Sequence, residues 1–249
     1  MTNRDYDRET AERVGWIKDV LAEAGVGGIV FGSSGGKDSV LVGILCKMAC
    51  HNTLGIILPC ESKRNFEEDT RDALLFAASF DVEHITADLT AVKQALAAAL
   101  PIELNTQAST NINPRLRMTA LYAAAAARGA LVAGTGDRSE RHMGYFTKWG
   151  DGACDFNPIA DLTVTEIYEF LQHLGAPQVF QTKAPSAGLF EGQTDEEEMG
   201  VTYGEIDKYL LTGETGTNFH KIQRAHEISA HKRTPIKNTA DNTICNYRK

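Results

Sequence analysis

The residues Ser34-Gly-Gly-Lys-Asp-Ser39 lie between the apolar run Gly28-Ile-Val-Phe31 and the helical pattern Val40, Leu41, Ile44, Leu45 and Met48. A buried strand that empties into a glycine-rich loop at a helix start leaves backbone N–H groups pointing outward, where they and the helix dipole favour an anion. This reads as a phosphate-binding turn. Two glycines let the main chain come close, the serines add hydroxyl donors, and Asp38 sets a carboxylate where a divalent cation bridging phosphate oxygens needs one. A kinase-type P-loop needs glycine five positions before its Gly-Lys pair and Ser or Thr directly after it. Phe31 and Asp38 occupy those positions, so that pattern fails twice. A tight turn without a ligand does not require Ser, Gly, Gly, Asp and Ser together.

A second polar cluster follows the apolar run Leu131-Val-Ala133. It reads Gly134-Thr-Gly-Asp-Arg-Ser-Glu140, then Gly144-Tyr-Phe-Thr-Lys148 and Gly150-Asp-Gly-Ala-Cys-Asp155. Ligands of parallel α/β sheets bind beyond the C-terminal ends of the strands, so both clusters should face one crevice. Glu140 is the candidate for a second carboxylate on Mg²⁺, which takes one or two protein carboxylates plus phosphate oxygens and water. For Glu140 and Lys148 taken singly, a solvated loop charge pair is the competing reading.

The elements that must hold these clusters alternate between strand and helix. Val14, Ile17, Leu21 and Ala24 pattern an amphipathic helix before the first strand, and Leu54-Gly-Ile-Ile-Leu58 forms a second apolar run. Asn65 with Glu68 reads as a capping box for a helix through Ala78, with a third strand at Val82 to Thr86 and a fourth at Leu131 to Ala133. Asn113-Pro114 reads as the opening of a helix that runs to Arg128 and stops at Gly129. Thr163 with Glu166 and Thr202 with Glu205 are capping boxes of two later helices, the first ended by Gly175 and Pro177. The alternation predicts an α/β fold, a Rossmann-like parallel sheet with helices on both faces. Gln181 to Met199, rich in glycine, proline and acid residues, reads as a lid.

Bulk properties narrow the function. A chain of 249 residues with 43% hydrophobic content is long enough for one large core, and a single domain is expected. The net charge of −8 disfavours a grip on long nucleic acid, so any anionic substrate must meet local basic residues. Five cysteines without a C-x-x-C pair disfavour both a disulfide framework and a zinc ribbon, and Cys46 and Cys50, one helical turn apart, read as small core residues. The charged start and the interruption of the longest apolar stretch by Arg128 and Gly129 lead us to expect a soluble, cytoplasmic protein. The seven histidines form no evident triad with a serine or cysteine.

The order Ser-Gly-Gly-x-Asp-Ser resembles the pyrophosphate loop of the N-type ATP pyrophosphatases. Four further blocks resemble those of the ammonia-dependent NAD⁺ synthetases, in that family's order: Asn111 to Met118, Gly134 to Pro158, Lys183 to Glu196, and His231-Lys-Arg233. The resemblance implies an adenine nucleotide alpha hydrolase-like fold and ATP-dependent amidation of nicotinic acid adenine dinucleotide (deamido-NAD) by ammonia, through an acyl-adenylate, to NAD⁺, AMP and pyrophosphate. By motif position, Gly32, Ser33, Ser34, Gly35, Gly36, Asp38, Ser39, Thr135 and Ser186 would hold ATP, and Asp38 and Glu140 the Mg²⁺. Arg115, Lys148, Asp155, His231 and Lys232 would bind deamido-NAD, with Lys148 also among the lysines that stabilise departing pyrophosphate.

Family members commonly carry an ATP-contacting lysine where this chain has Val164; Lys183 or Lys37 is the available substitute. The family is homodimeric, and the segment Ala91 to Met118 offers apolar faces that could pair. No glutaminase-like segment fits beside the core, so free ammonia is the expected donor. The alternatives are a tRNA-thiolating or lysidine-forming ligase, a GMP synthetase core, or a non-catalytic adenine-nucleotide module.

Overall fold

The structure, a computed structural model, describes residue 2 and residues 4–183 and 195–236. Its centre is a four-stranded, wholly parallel sheet of β1 (Gly28–Gly32), β2 (Thr53–Ile57), β3 (Glu83–Thr86) and β4 (Ala130–Ala133), in the order β3-β2-β1-β4. Alternation along β1 sorts the two faces. Ile29 and Phe31 pack into a core with α1 (Tyr6–Ala24), α2 (Lys37–Ala49), α8 (Val164–His173) and α9 (Gln178–Thr182), whose centre holds Ile17, Leu41, Leu45, Phe170 and Phe180. Val30 points the other way, with Leu54, Ile56 and Val132, against Met118, Leu121 and Ala125 of α6 (Ile112–Arg128). The expected doubly wound architecture is the observed one, because strands buried on both faces need helices on both.

Shorter helices complete the chain: α3 (Thr70–Ser79), α4 (Thr90–Ala99), α5 (Thr106–Thr110), α7 (Arg138–Met143), α10 (Asp195–Met199), α11 (Tyr203–Thr212) and α12 (Phe219–Ile228). Val164, Val201, Ile206 and Ile222 form a third small core beneath α7, α8, α11 and α12. Among the described residues, no helix is long and apolar enough to cross a membrane.

Two helix starts differ from expectation. Asn65 does not cap a helix with Glu68; residues Asn65–Asp69 form a π-helical turn without a side-chain cap. The Asn65 amide is spent elsewhere, since its oxygen accepts from Arg117 Nη2 at 3.0 Å and its nitrogen donates to Asp69 at 2.8 Å. Helix α6 begins at Ile112 rather than Pro114. Proline is tolerated there because N–H groups of the first turn have no intrahelical acceptor. The boxes at Thr163/Glu166 and Thr202/Glu205 form as expected, and a third, Asp137/Glu140, opens α7.

Candidate active site

Parallel pairing of β1 with β4 sets their C-terminal ends side by side, so the loops after Gly32 and Ala133 open into one cavity of about 690 Å³. It is lined by Gly32, Ser33, Ser34, Gly36, Lys37, Asp38 and Ser39 from the first loop and by Gly134, Thr135, Gly136 and Glu140 from the second. Ser34 Oγ donates to Ser39 Oγ at 3.1 Å and accepts from the Gly36 N–H at 3.3 Å, which ties the loop across its own turn. Gly35 has φ +73°, and a Cβ there would lie 2.7 Å from the Asp69 carbonyl oxygen, so the loop can pass α3 only as glycine. The helix that follows has Gly36 as its N-cap and no side-chain cap. Its first N–H groups are therefore open to an anion.

Opposite this donor surface stand three carboxylates. One oxygen each from Asp38, Asp137 and Glu140 lie within 4.8 Å of one another. The capping box fixes two of them: Asp137 Oδ1 accepts from the Glu140 N–H at 2.8 Å, and Glu140 Oε2 accepts from the Asp137 N–H at 3.1 Å. Lys37 Nζ fills the middle, 2.6 Å from Asp38 Oδ2 and 3.0 Å from Asp137 Oδ2, with the residue 3% exposed. Burial works to lower the Lys37 pKa, but Asp38, Asp137 and Glu140 hold it well above its ordinary value. Burial likewise pushes Asp38 up, and Lys37 pulls it back, to about 6. Glu140 is raised well above the carboxylate range by burial and by repulsion from Asp137 and Asp38. A trio of hard oxygen donors that repel one another fits a divalent cation such as Mg²⁺. Asp137 was not among the residues singled out from sequence, although Asp-x-x-Glu after an apolar run is a readable capping signature.

The remaining expected residues divide. Lys183 lines the cavity, bound to Asp69 at 3.2 Å and Asp72 at 2.7 Å, and Lys232 lines it while donating to the carbonyls of Gly144 and Phe146 at 2.7 and 2.6 Å. Arg115, Lys148 and His231 form a strip outside the lining: Arg115 Nε and Nη2 each donate to the Lys148 carbonyl at 3.3 Å, and Lys148 Nζ donates to the His231 carbonyl at 2.7 Å. Asp155 stands apart, accepting from the Val132 N–H at 2.7 Å and from Tyr122 Oη at 3.1 Å, so here it braces β4. Ser186 and most of the expected lid lie outside the described residues. Val164 is 4% exposed in the third core.

Arg117, two positions beyond Arg115 and thus on another side of α6, reaches the cavity instead. It donates to the Leu58 carbonyl at 2.9 Å as well as to Asn65, is depressed by burial, and has no carboxylate within ion-pair distance among the described residues.

A family model described as NAD synthase matches residues 9–247. This chain belongs to the NAD synthase family. It is 46% identical over 235 residues to the NH(3)-dependent NAD(+) synthetase of Carboxydothermus hydrogenoformans, covering 92% of this chain and 96% of that protein. Among solved structures, an NMN synthetase from Francisella tularensis superposes with a TM-score of 0.90 at 34% identity, covering 95% of this chain and 99% of that one. An NH3-dependent NAD synthetase from Campylobacter jejuni superposes with a TM-score of 0.78 at 27% identity, covering 94% and 99%. The NAD synthase assignment agrees with the resemblance read from the sequence blocks and sets aside the tRNA-modifying, GMP synthetase and non-catalytic alternatives.

Proposed function

We propose that this NAD synthase amidates deamido-NAD with ammonia, consuming ATP and releasing NAD⁺, AMP and pyrophosphate. The observation that carries the reading is the phosphate loop facing a carboxylate trio across one cavity, in a chain 46% identical to a protein named an NH(3)-dependent NAD(+) synthetase. A carboxylate is a poor acceptor for ammonia because its leaving group would be oxide. One nicotinate carboxylate oxygen therefore attacks the α-phosphorus of ATP, the bond to the bridging oxygen breaks, and pyrophosphate leaves. Ammonia then attacks the acyl carbon, AMP departs with the bonding pair, and the surplus proton of nitrogen passes to solvent.

In this reading the open N–H groups at the start of α2, the Ser34 and Ser39 hydroxyls, Thr135 and Lys183 hold the phosphates. Asp38 and Glu140 would hold Mg²⁺, with Asp137 adjoining, and the ion when bound supplies positive charge to the pyrophosphate oxygens. Fixed donors aimed at the departing group need no reorganisation as its charge grows. Arg117 and Lys232 provide cations on the carboxylate-substrate side, the Arg115–Lys148–His231 strip contacts the dinucleotide, and the chain forms a homodimer through the exposed Val92, Leu96 and Leu100 of α4. Ser186 and the segment from Gln181 to Met199 serve as ATP contact and lid.

The experiment is to supply purified protein with ATP, Mg²⁺ and deamido-NAD plus either ammonium or ammonia-free glutamine, following NAD⁺ and pyrophosphate. Ammonium supports turnover and glutamine does not; equal yields from both donors would sink the assignment of donor. A second reading, amidation of nicotinic acid mononucleotide, is favoured by the closer superposition on the NMN synthetase. The ratio of kcat/KM for the two acids decides between them.

A further inference from the structure

We propose a second anion-binding site, for a small phosphate-bearing ligand, in the groove behind α7. The groove, about 410 Å³, is lined by Arg4, Arg138, Arg141, His142, His226 and Arg233, together with Ala160 and Asp161. Helix α7 separates it from the active cavity: Glu140 belongs to the carboxylate trio lining that cavity, while Arg138, Arg141 and His142, spaced i, i+3 and i+4, share another face.

The charge balance here is one-sided. Arg4 is compensated by Glu166 at 2.6 Å and Glu9 at 2.8 Å, and Asp161 is shared between Arg13 at 2.7 Å and Arg4 at 3.5 Å. Arg138, Arg141 and Arg233 have no carboxylate within ion-pair distance among the described residues, in a chain of net charge −8. Arg233 is partly committed to main-chain oxygens, donating to the carbonyls of Arg141 at 3.1 Å, His142 and His226. Arg138 spends Nη2 on the Leu210 carbonyl at 3.0 Å, and among the described residues no side-chain hydrogen bond or ion pair engages the Arg141 guanidinium. Burial and then Arg141 lower the Arg233 pKa.

Three guanidinium groups lining one groove with no carboxylate of their own in ion-pair distance repel one another in the free protein, and a bound anion relieves that directly. Guanidinium forks match phosphate oxygens in pairs, which favours phosphate over a monovalent ion. His142 and His226, whose rings stack with centroids 4.1 Å apart, line the groove beside the guanidinium groups. The ligand class is inorganic phosphate, pyrophosphate or a phosphate monoester.

The test is titration of protein carrying ¹³C-labelled histidine with phosphate, pyrophosphate and AMP in turn, without divalent metal, following the His142 ring signal identified through His142→Gln. Saturable shifts at millimolar or lower ligand are expected, and comparison of the three arms gives the preferred source. Arg141→Gln, a change at an exposed residue, weakens binding about tenfold or more. Arg141→Glu abolishes it, and Lys183→Ala in the active cavity leaves it unchanged. Absence of a saturable shift with every ligand, or a shift that survives Arg141→Glu, overturns the proposal. A shift lost in Lys183→Ala but kept in Arg141→Gln also overturns it, because binding then occurs in the active cavity.

Discussion

Lys37 and its three carboxylates form a residue-scale balance that sets two predictions. Removing one partner of a buried ion cluster leaves the others uncompensated, at a cost of about 3–5 kcal/mol. Lys37→Met should therefore lower Tm sharply in metal-free buffer, and Mg²⁺ should restore much of the loss, giving a larger metal-induced shift than in the native protein. Equal shifts in both proteins would show that Lys37 and the cation do not share the cage. Asp38→Asn and Glu140→Gln keep the shape but lose the charge, and each should reduce pyrophosphate release by about 10²-fold or more with the fold intact. Circular dichroism alongside initial rates checks both halves of that statement.

Val164 also belongs to this scale. It is buried against the third core, so Val164→Lys forces a cation into apolar surroundings rather than granting a phosphate contact. We expect a lowered Tm and no gain in ATP affinity, whereas Lys183→Ala raises the KM for ATP. Kinetics at varied ATP decide the matter, and an improved KM in Val164→Lys would mean that the helix start can turn toward the cavity.

At the scale of elements, α7 does two jobs within six residues. Its N-cap Asp137 both accepts the Glu140 N–H and binds Lys37, so the two contributions can be separated. Asp137→Ser keeps a capping oxygen and loses the ion partner, while Asp137→Ala loses both; the difference between them should be about 1 kcal/mol in chemical denaturation. The opposite end of α7 carries His142, depressed to about 4 by burial and by His226, Arg233 and Arg138, with the Tyr209 ring beside it. An unfolded histidine binds its proton near 6.5, before the folded one does. This contribution is therefore fully present above pH 6.5 and is lost as pH falls toward 4, at a slope set by the proton excess of the unfolded state. His142→Gln should flatten the acid limb of the Tm profile over that interval, and an unchanged profile would place the acid sensitivity elsewhere.

On the scale of the whole molecule, the sheet order places the site at the junction of β1 and β4 and leaves β3 and α4 at the periphery. Val92 and Leu96, one turn apart on α4, are 49% and 39% exposed. An apolar stripe of this kind in an acidic surface fits the proposed homodimer. Val92→Asp combined with Leu96→Asp should yield a monomer by sedimentation velocity, with deamidated substrate binding weakened and ATP binding kept. An unchanged mass would move the interface off α4.

What the sequence determined by itself was local or periodic. The Ser34–Ser39 loop is legible because a phosphate takes its donors from consecutive residues at one helix start, and β1 and β2 are legible because strands buried on both faces read as apolar runs. The boxes at Thr163 and Thr202 follow the same logic, since both partners lie within one turn. Tertiary structure alone decided the rest. Which arginine of the 111–118 block enters the cavity depends on the rotation of α6 against the sheet, and that rotation favours Arg117 over Arg115. The same Arg117 takes the Asn65 amide oxygen, which caps no helix, and residues Asn65–Asp69 form a π-helical turn. The salt-bridged Lys37–Asp137 pair joins residues 100 positions apart, and no spacing rule in a chain can announce a contact that exists only because two parallel strands end side by side.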